Sequence, residues 1–209
     1  ALEVNPANAE IYDKKASSLY YLGRDTDDMD LIKESIIYYR KALEIDGEYL
    51  HSLNGIAVSL EVLGNADEAL IYYDKALEVY PDFVLVHYNK ANLLMNLSRN
   101  EEALYHYDKA IQIDRYCVDA YIEKAELLCK MEKYADALKV LDNILNIVEA
   151  SDIRDRNEKI CTLLKCKGEA FHIMGKFNEA IECYDKALAV DKDRADVLVK
   201  KGEAYNRLG

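Results

Sequence analysis

An all-α fold of antiparallel helix pairs stacked in file is predicted by three features of the 209-residue sequence. The first is a recurring segment: Ser35–Leu43, Ala69–Leu77, Ala103–Ile111, Ala137–Leu145 and Ala180–Leu188, with starts 34, 34, 34 and 43 residues apart. The second is a set of small residues preceding these segments, Ala16, Ala57, Ala91, Ala125, Gly168 and Gly202, spaced 41, 34, 34, 43 and 34. A fixed period of this size is the mark of a repeat architecture. The third is the scarcity of turn formers: 2 Pro and 8 Gly are too few for a protein of many short strands. One helical pair cannot bury its apolar stripe alone, so neighbouring pairs must stack.

The elements follow in order. Ala1-Leu-Glu-Val-Asn-Pro6 reads like Ala76-Leu-Glu-Val-Tyr-Pro81, so residues 1–8 are expected to be the end of a preceding repeat. Five repeats then run about 9–49, 50–83, 84–117, 118–160 and 161–194, and 195–209 is the first helix of a further, truncated repeat. The whole of 1–209 is thus expected to be a single array, a fragment of a longer one. In the third repeat Val84, His87, Ala91, Leu94 and Leu97 recur at helical spacing, and Ala103, Tyr107, Ala110 and Ile111 do so again after a short polar break. Gly64 and Gly175 stand at the same break elsewhere, where a helix end favours a left-handed residue. The first repeat carries seven extra residues around Arg24–Asp30, close to two helical turns at ~3.6 residues each. Before the fifth, Ser151-Asp152 are candidate caps, predicting a first helix extended from about Asp152 to Met174.

A 34-residue helical pair with small residues at positions 8, 20 and 27 resembles the tetratricopeptide repeat (TPR). The second repeat carries Leu53, Ile56-Ala57, Leu60, Leu63-Gly64, Ala69, Tyr73, Ala76 and Pro81 at the family's signature positions. The fifth carries Lys167-Gly168, Phe171, Met174-Gly175, Phe177, Ala180, Tyr184 and Ala187. The fourth departs, with Leu141 and Ile144 for the aromatic and the second Ala. The resemblance implies a right-handed α-solenoid, the TPR superhelix, with first helices lining its concave face. The small residues let two helices approach closely and the aromatic at position 24 fills the gap beside them, so enlarging Ala103 to Leu would overpack the contact.

Charge and motifs narrow the function. With 27 Lys+Arg against 39 Asp+Glu the net charge is −12, an acidic balance that disfavours phosphate backbones, so neither nucleic acid nor membrane is an expected partner. No apolar run approaches the ~20 residues of a spanning helix. Five scattered cysteines (Cys117, Cys129, Cys161, Cys166, Cys183) suggest a reducing, cytoplasmic setting rather than a disulfide framework. Cys161, Cys166 and His172 sit at divergent helical angles and do not converge as metal ligands. His87 and His106 read as packed or rim histidines. Asp25, Asp27, Asp28 and Asp30 lack the Gly and the late Glu of a calcium loop and read as helix-capping residues. No nucleotide or catalytic motif appears, so no enzyme, cofactor or metal is expected.

Function in TPR arrays lies on the concave side, as the resemblance implies, at positions 2, 5, 6 and 9 of each first helix. The carboxylate clamp of co-chaperone TPR domains needs paired cations, whereas this chain offers Asn54 and Val58, then Asn89, then Asp119 and Glu123. The groove that remains is polar and aromatic in the middle (His51, Asn54, Leu85, Tyr88, Asn89, Asn92) and turns acidic (Asp119, Glu123, Glu126). Asn side chains bond a backbone without demanding a sequence, and Tyr88 offers an amphipathic anchor. The expectation is a protein–protein interaction scaffold that holds a peptide or helical segment with basic residues after an apolar or polar stretch. A regulatory or substrate-recruiting region of a larger enzyme is the alternative, and an RNA-binding helical array a third, disfavoured by the acidic face. Self-association through exposed terminal repeats is a further expectation.

Overall fold

The computed structural model describes residues 8–209, which form eleven α-helices and no strand. The expected helix end at residues 1–8 lies, but for Asn8, outside the described residues. The chain falls into two compact units, one ending at Lys109 and one running Ala110–Gly209.

The first unit holds α1 (Ala9–Thr26), α2 (Met29–Ile45), α3 (Leu50–Val62), α4 (Ala66–Val79), α5 (Val84–Asn96) and most of α6 (Asn100–Ile113). Each helix packs on the next from α1 to α5, and α3 also touches α1 and α5, so the first helices of successive pairs share a face. The seven extra residues are helical: α1 is five longer than α3, α2 is three longer than α4, and the turn between is one shorter. Asp28 is indeed a cap, its carboxylate accepting from the Asp30 and Leu31 amides at 3.0 and 3.3 Å. These amides are helix-end donors that no carbonyl can reach.

The second unit holds α7 (Val118–Lys130), α8 (Tyr134–Glu149), α9 (Arg156–Ile173), α10 (Phe177–Val190) and α11 (Ala195–Leu208). Successive helices pack together, and α9 also touches α7 and α11. The predicted extension of the fifth repeat's first helix to Asp152 is corrected: α9 begins at Arg156. Ser151 turns its hydroxyl back onto the Val148 carbonyl at 2.9 Å, and Asp155 adopts a left-handed φ of 58°. The Arg156 guanidinium donates to the Val148 and Glu149 carbonyls at 3.2 and 2.6 Å, closing the end of α8 rather than letting α9 continue backwards. The nine extra residues are thus shared: two lengthen α8 relative to α10, five lengthen α9 relative to α7, and two widen the loop.

Within the pairs the small and aromatic positions form the core. Ala57, Ala69 and Ala76 are fully buried around Tyr73, and Ala91 and Ala103 are likewise buried around Tyr107. The break between paired helices takes a left-handed residue each time: Asp27 (φ 56°), Gly64 (79°), Ser98 (59°), Glu132 (60°) and Gly175 (73°).

Candidate functional site

In the first unit α3 and α5 bring Asn54 and Asn89 together, the Asn89 Nδ2 donating to Asn54 Oδ1 at 3.2 Å. Asn92, one turn further along α5, is half turned to the core: its Oδ1 accepts from the Tyr107 hydroxyl at 2.6 Å. Tyr88 lies with its ring 6.4 Å from that of Tyr107. Asn89 and Asn92 border a cavity of about 420 Å³ whose other walls include Tyr20, Val58, Glu61 and Asn96. Glu61 is half-buried, and burial raises its carboxyl above the ordinary value, although the Tyr73 hydroxyl donates to it at 3.2 Å. His51 is exposed, edge-on to Tyr49 and Phe83, and Leu85 is 49 % exposed. The asparagine row expected from the sequence is therefore present, but two of its carbonyls are occupied internally, leaving the Asn54 and Asn92 amide N–H groups and the Asn89 carbonyl for a partner.

His87 and His106, also in this unit, are buried and face each other, Nδ1 to Nδ1 at 2.9 Å. The second nitrogen of His87 lies 2.9 Å from the Pro81 carbonyl. An N–H must donate to that carbonyl, which leaves His87 Nδ1 the acceptor and His106 Nδ1 the donor. Burial pushes His106 down to about 4, with Lys90 and His87 adding to it, and depresses His87 as well. Both rings serve packing, as the sequence suggests.

In the second unit Asp119 and Glu126 are exposed and Glu123 is half-buried on α7. Burial, then the neighbouring Glu126 charge, raises the Glu123 carboxyl. Glu126 stands at a cavity of about 540 Å³ lined by α7, α9 and α11, to which neither Asp119 nor Glu123 contributes. Its walls bring in Cys166 and Glu169, which stand at the concave positions of the fifth repeat's first helix, and Leu141, His172 and Tyr184, which are not among the site residues expected from the sequence. Burial pushes the Cys166 thiol up to about 12 and raises Glu169, so the cavity is a poorly solvated place for charge. The Tyr184 hydroxyl and His172 Nδ1 are buried without a hydrogen-bond partner. The signal that could have found this site is Leu141, the residue that breaks the repeat's aromatic pattern.

Among the described residues no group of three or more His, Cys, Asp or Glu could hold a metal, and no helix is long and apolar enough to cross a membrane. Models described as TPR repeat and tetratricopeptide repeat match residues 27–49, 50–80, 84–117 and 168–209. The chain belongs to the tetratricopeptide repeat family. TPR units generally serve protein or peptide interaction and are typically non-enzymatic. Among solved structures the chain is similar to YrrB, described as a TPR protein with an unusual peptide-binding site, at 20 % identity over 97 % of this chain and 96 % of that one, TM-score 0.65. It is similar to a TPR protein from Parabacteroides merdae at 17 % identity, over 95 % of this chain and 74 % of that one, TM-score 0.71. A thermophilic TPR protein from Thermus thermophilus matches at 17 % identity over 94 % and 98 %, TM-score 0.64. No curated protein sequence matches. These likenesses fix the TPR solenoid fold.

Proposed function

We propose that this chain is a non-catalytic interaction scaffold that holds an extended or helical peptide on the face of its first helices. The observation that carries the reading is the cluster of Asn54, Asn89 and Asn92 on α3 and α5, of which Asn89 and Asn92 border a cavity and which keeps one carbonyl and two amide groups unspent. Such groups bond a partner's main chain irrespective of its side chains, while exposed Leu85 and the Tyr88 ring supply apolar contact. In the second unit the carboxylates of Asp119, Glu123 and Glu126 favour Lys or Arg in the partner. YrrB, with its peptide-binding site, is a precedent for peptide recognition on a similar fold.

The test is affinity capture with the chain, followed by peptide mapping of what is retained and titration against Asn54→Ala and Asn89→Ala variants. The reading requires a peptide whose affinity falls at least tenfold in the double variant at unchanged helix content. A captured partner that binds both proteins equally would place recognition elsewhere.

A further inference from the structure

The five helix pairs are not equivalent at the position that closes the gap between helices. Tyr39, Tyr73, Tyr107 and Tyr184 occupy it in four of them, and all four are buried. In the fourth pair the residue is Leu141, also buried, which lacks the ring. The 540 Å³ cavity opens there, over Leu141, with Ile122 and Ala125 from α7 and Cys166 and Ala170 from α9 as walls. The space opens to solvent on one side, and its size falls in the range that receives a ligand group.

A second irregularity borders the same space. Gly168 stands where other repeats have Ala16, Ala57, Ala91 and Ala125, and a Cβ there would drive into the Tyr184 ring. The missing methyl lets Tyr184 lie directly on the α9 backbone. There its hydroxyl has no partner, whereas Tyr39 meets Ser17 at 3.1 Å, Tyr73 meets Glu61 and Tyr107 meets Asn92. Buried polar groups are nearly always paired, and an unpaired one costs about 1–3 kcal/mol. Here two are unpaired at one cavity, the other being His172 Nδ1.

The mouth is acidic. Glu126, Glu169 and Glu203 all border it; of its two lysines, Lys200 is tied to Glu203 at 3.1 Å. Apolar walls, two unsatisfied polar atoms and a carboxylate rim describe a complementary group: a ring with a polar tip, carried next to positive charge. We propose that this cavity is an anchor pocket for a Tyr or Trp side chain of a partner peptide, flanked by Lys or Arg that pair with Glu126 and Glu169. The inference rests on the scaffold reading and adds to it the residue the partner must present. Aromatic side chains are the usual hot spots of such contacts because they bury a large rigid surface.

The experiment uses three short synthetic peptides with a central Tyr, Phe or Ala between Arg-Lys pairs, measured by calorimetric titration against the whole chain. The same series is run on Leu141→Tyr, which restores the aromatic of the other repeats and fills the cavity, and on Tyr184→Phe, a conservative change that folds irrespective of the first. The dye 8-anilinonaphthalene-1-sulfonate is titrated in parallel. The expected result is at least tenfold tighter binding of the Tyr peptide than of the Ala peptide, lost in Leu141→Tyr. In Tyr184→Phe the advantage of Tyr over Phe disappears. Peptides that bind both proteins equally, with no preference for the ring, overturn the pocket and leave the scaffold reading standing. Dye binding sensitive to Leu141→Tyr without peptide binding replaces the peptide anchor by a small-molecule site. Should no peptide bind in this series while captured partners bind through Asn54 and Asn89, the anchor alone is refuted; should those fail as well, both readings fall.

Discussion

Lowering the pH should loosen the first unit through His106, and the size of the effect follows from its surroundings. His106 is 9 % exposed and donates through Nδ1 to His87, which in turn donates from its other nitrogen to the Pro81 carbonyl. Each neutral ring has one proton to give, and this chain uses both, so a further proton on His87 would set two donors against each other, and one on His106 would put a charge in a buried ring. Burial, with Lys90 and His87 nearby, holds the folded His106 at about 4 against an ordinary value of 6.5. Lys90 is ion-paired with Asp74. The folded value is the lower one, so the unfolded chain binds more protons between the two. The stability His106 contributes is therefore complete above 6.5 and is lost as the pH falls toward 4. At pH 5 the unfolded imidazole is almost wholly charged and the folded one almost wholly neutral, which corresponds to about 2 kcal/mol. Urea unfolding at pH 7.5 and pH 5 should show wild type losing about that much more than His106→Gln, and nuclear magnetic resonance should find the His106 ring neutral at pH 5.5. Equal losses in the two proteins, or a ring that titrates at 6 or above, would refute the reasoning.

The remaining predictions concern unfolding free energies and are read by the same denaturation. Tyr73→Phe should cost about 1–3 kcal/mol because it strips a donor from the half-buried Glu61 carboxylate, whereas Tyr184→Phe, which removes a buried hydroxyl that has no partner, should cost nothing and stabilise by up to about 1–3 kcal/mol. Gly202 and Gly168 occupy the same repeat position, but a Cβ meets nothing at Gly202 and the Tyr184 ring at Gly168. Gly202→Ala should therefore stabilise by about 0.5–1 kcal/mol, and Gly168→Ala should fall at least about 1 kcal/mol below it. Ser98 and Glu132 hold the left-handed turn that Gly64 and Gly175 hold elsewhere, so Glu132→Gly and Ser98→Gly should each raise stability, by at most about 1 kcal/mol. Equal behaviour of the two alanine variants, or loss of stability on both turn replacements, would contradict the packing described.

The helices were legible because spacing and burial have one cause. The 34-residue period places Ala57, Ala69, Tyr73 and Ala76 on facing sides of a pair, and each is fully buried. The seven residues around Arg24–Asp30 were readable as helix plus cap because their length keeps the apolar face in phase. The start of α9 was not, since Ser151 and Asp152 are good capping residues by type and only the Arg156 side chain on the α8 carbonyls decides against them. On the candidate surfaces, Asn54 and Asn89 were legible as neighbours from their place on successive first helices. That Asn92 is partly spent on Tyr107 was not, because the tyrosine comes from the second helix and its reach depends on packing. The cavity over Leu141 escaped for a related reason: a Leu in an aromatic position is visible in the sequence, but whether neighbours collapse around it is settled only by the full set of walls.

Recognition by the exposed side of the first helices is tested most directly by one titration. A peptide mapped from a captured partner is measured against wild type and a Glu123→Lys, Glu126→Lys double variant across a salt series. The scaffold account predicts at least tenfold weaker binding by the variant at low salt, together with a flatter salt dependence. Identical affinities and identical salt slopes for the two proteins would contradict it.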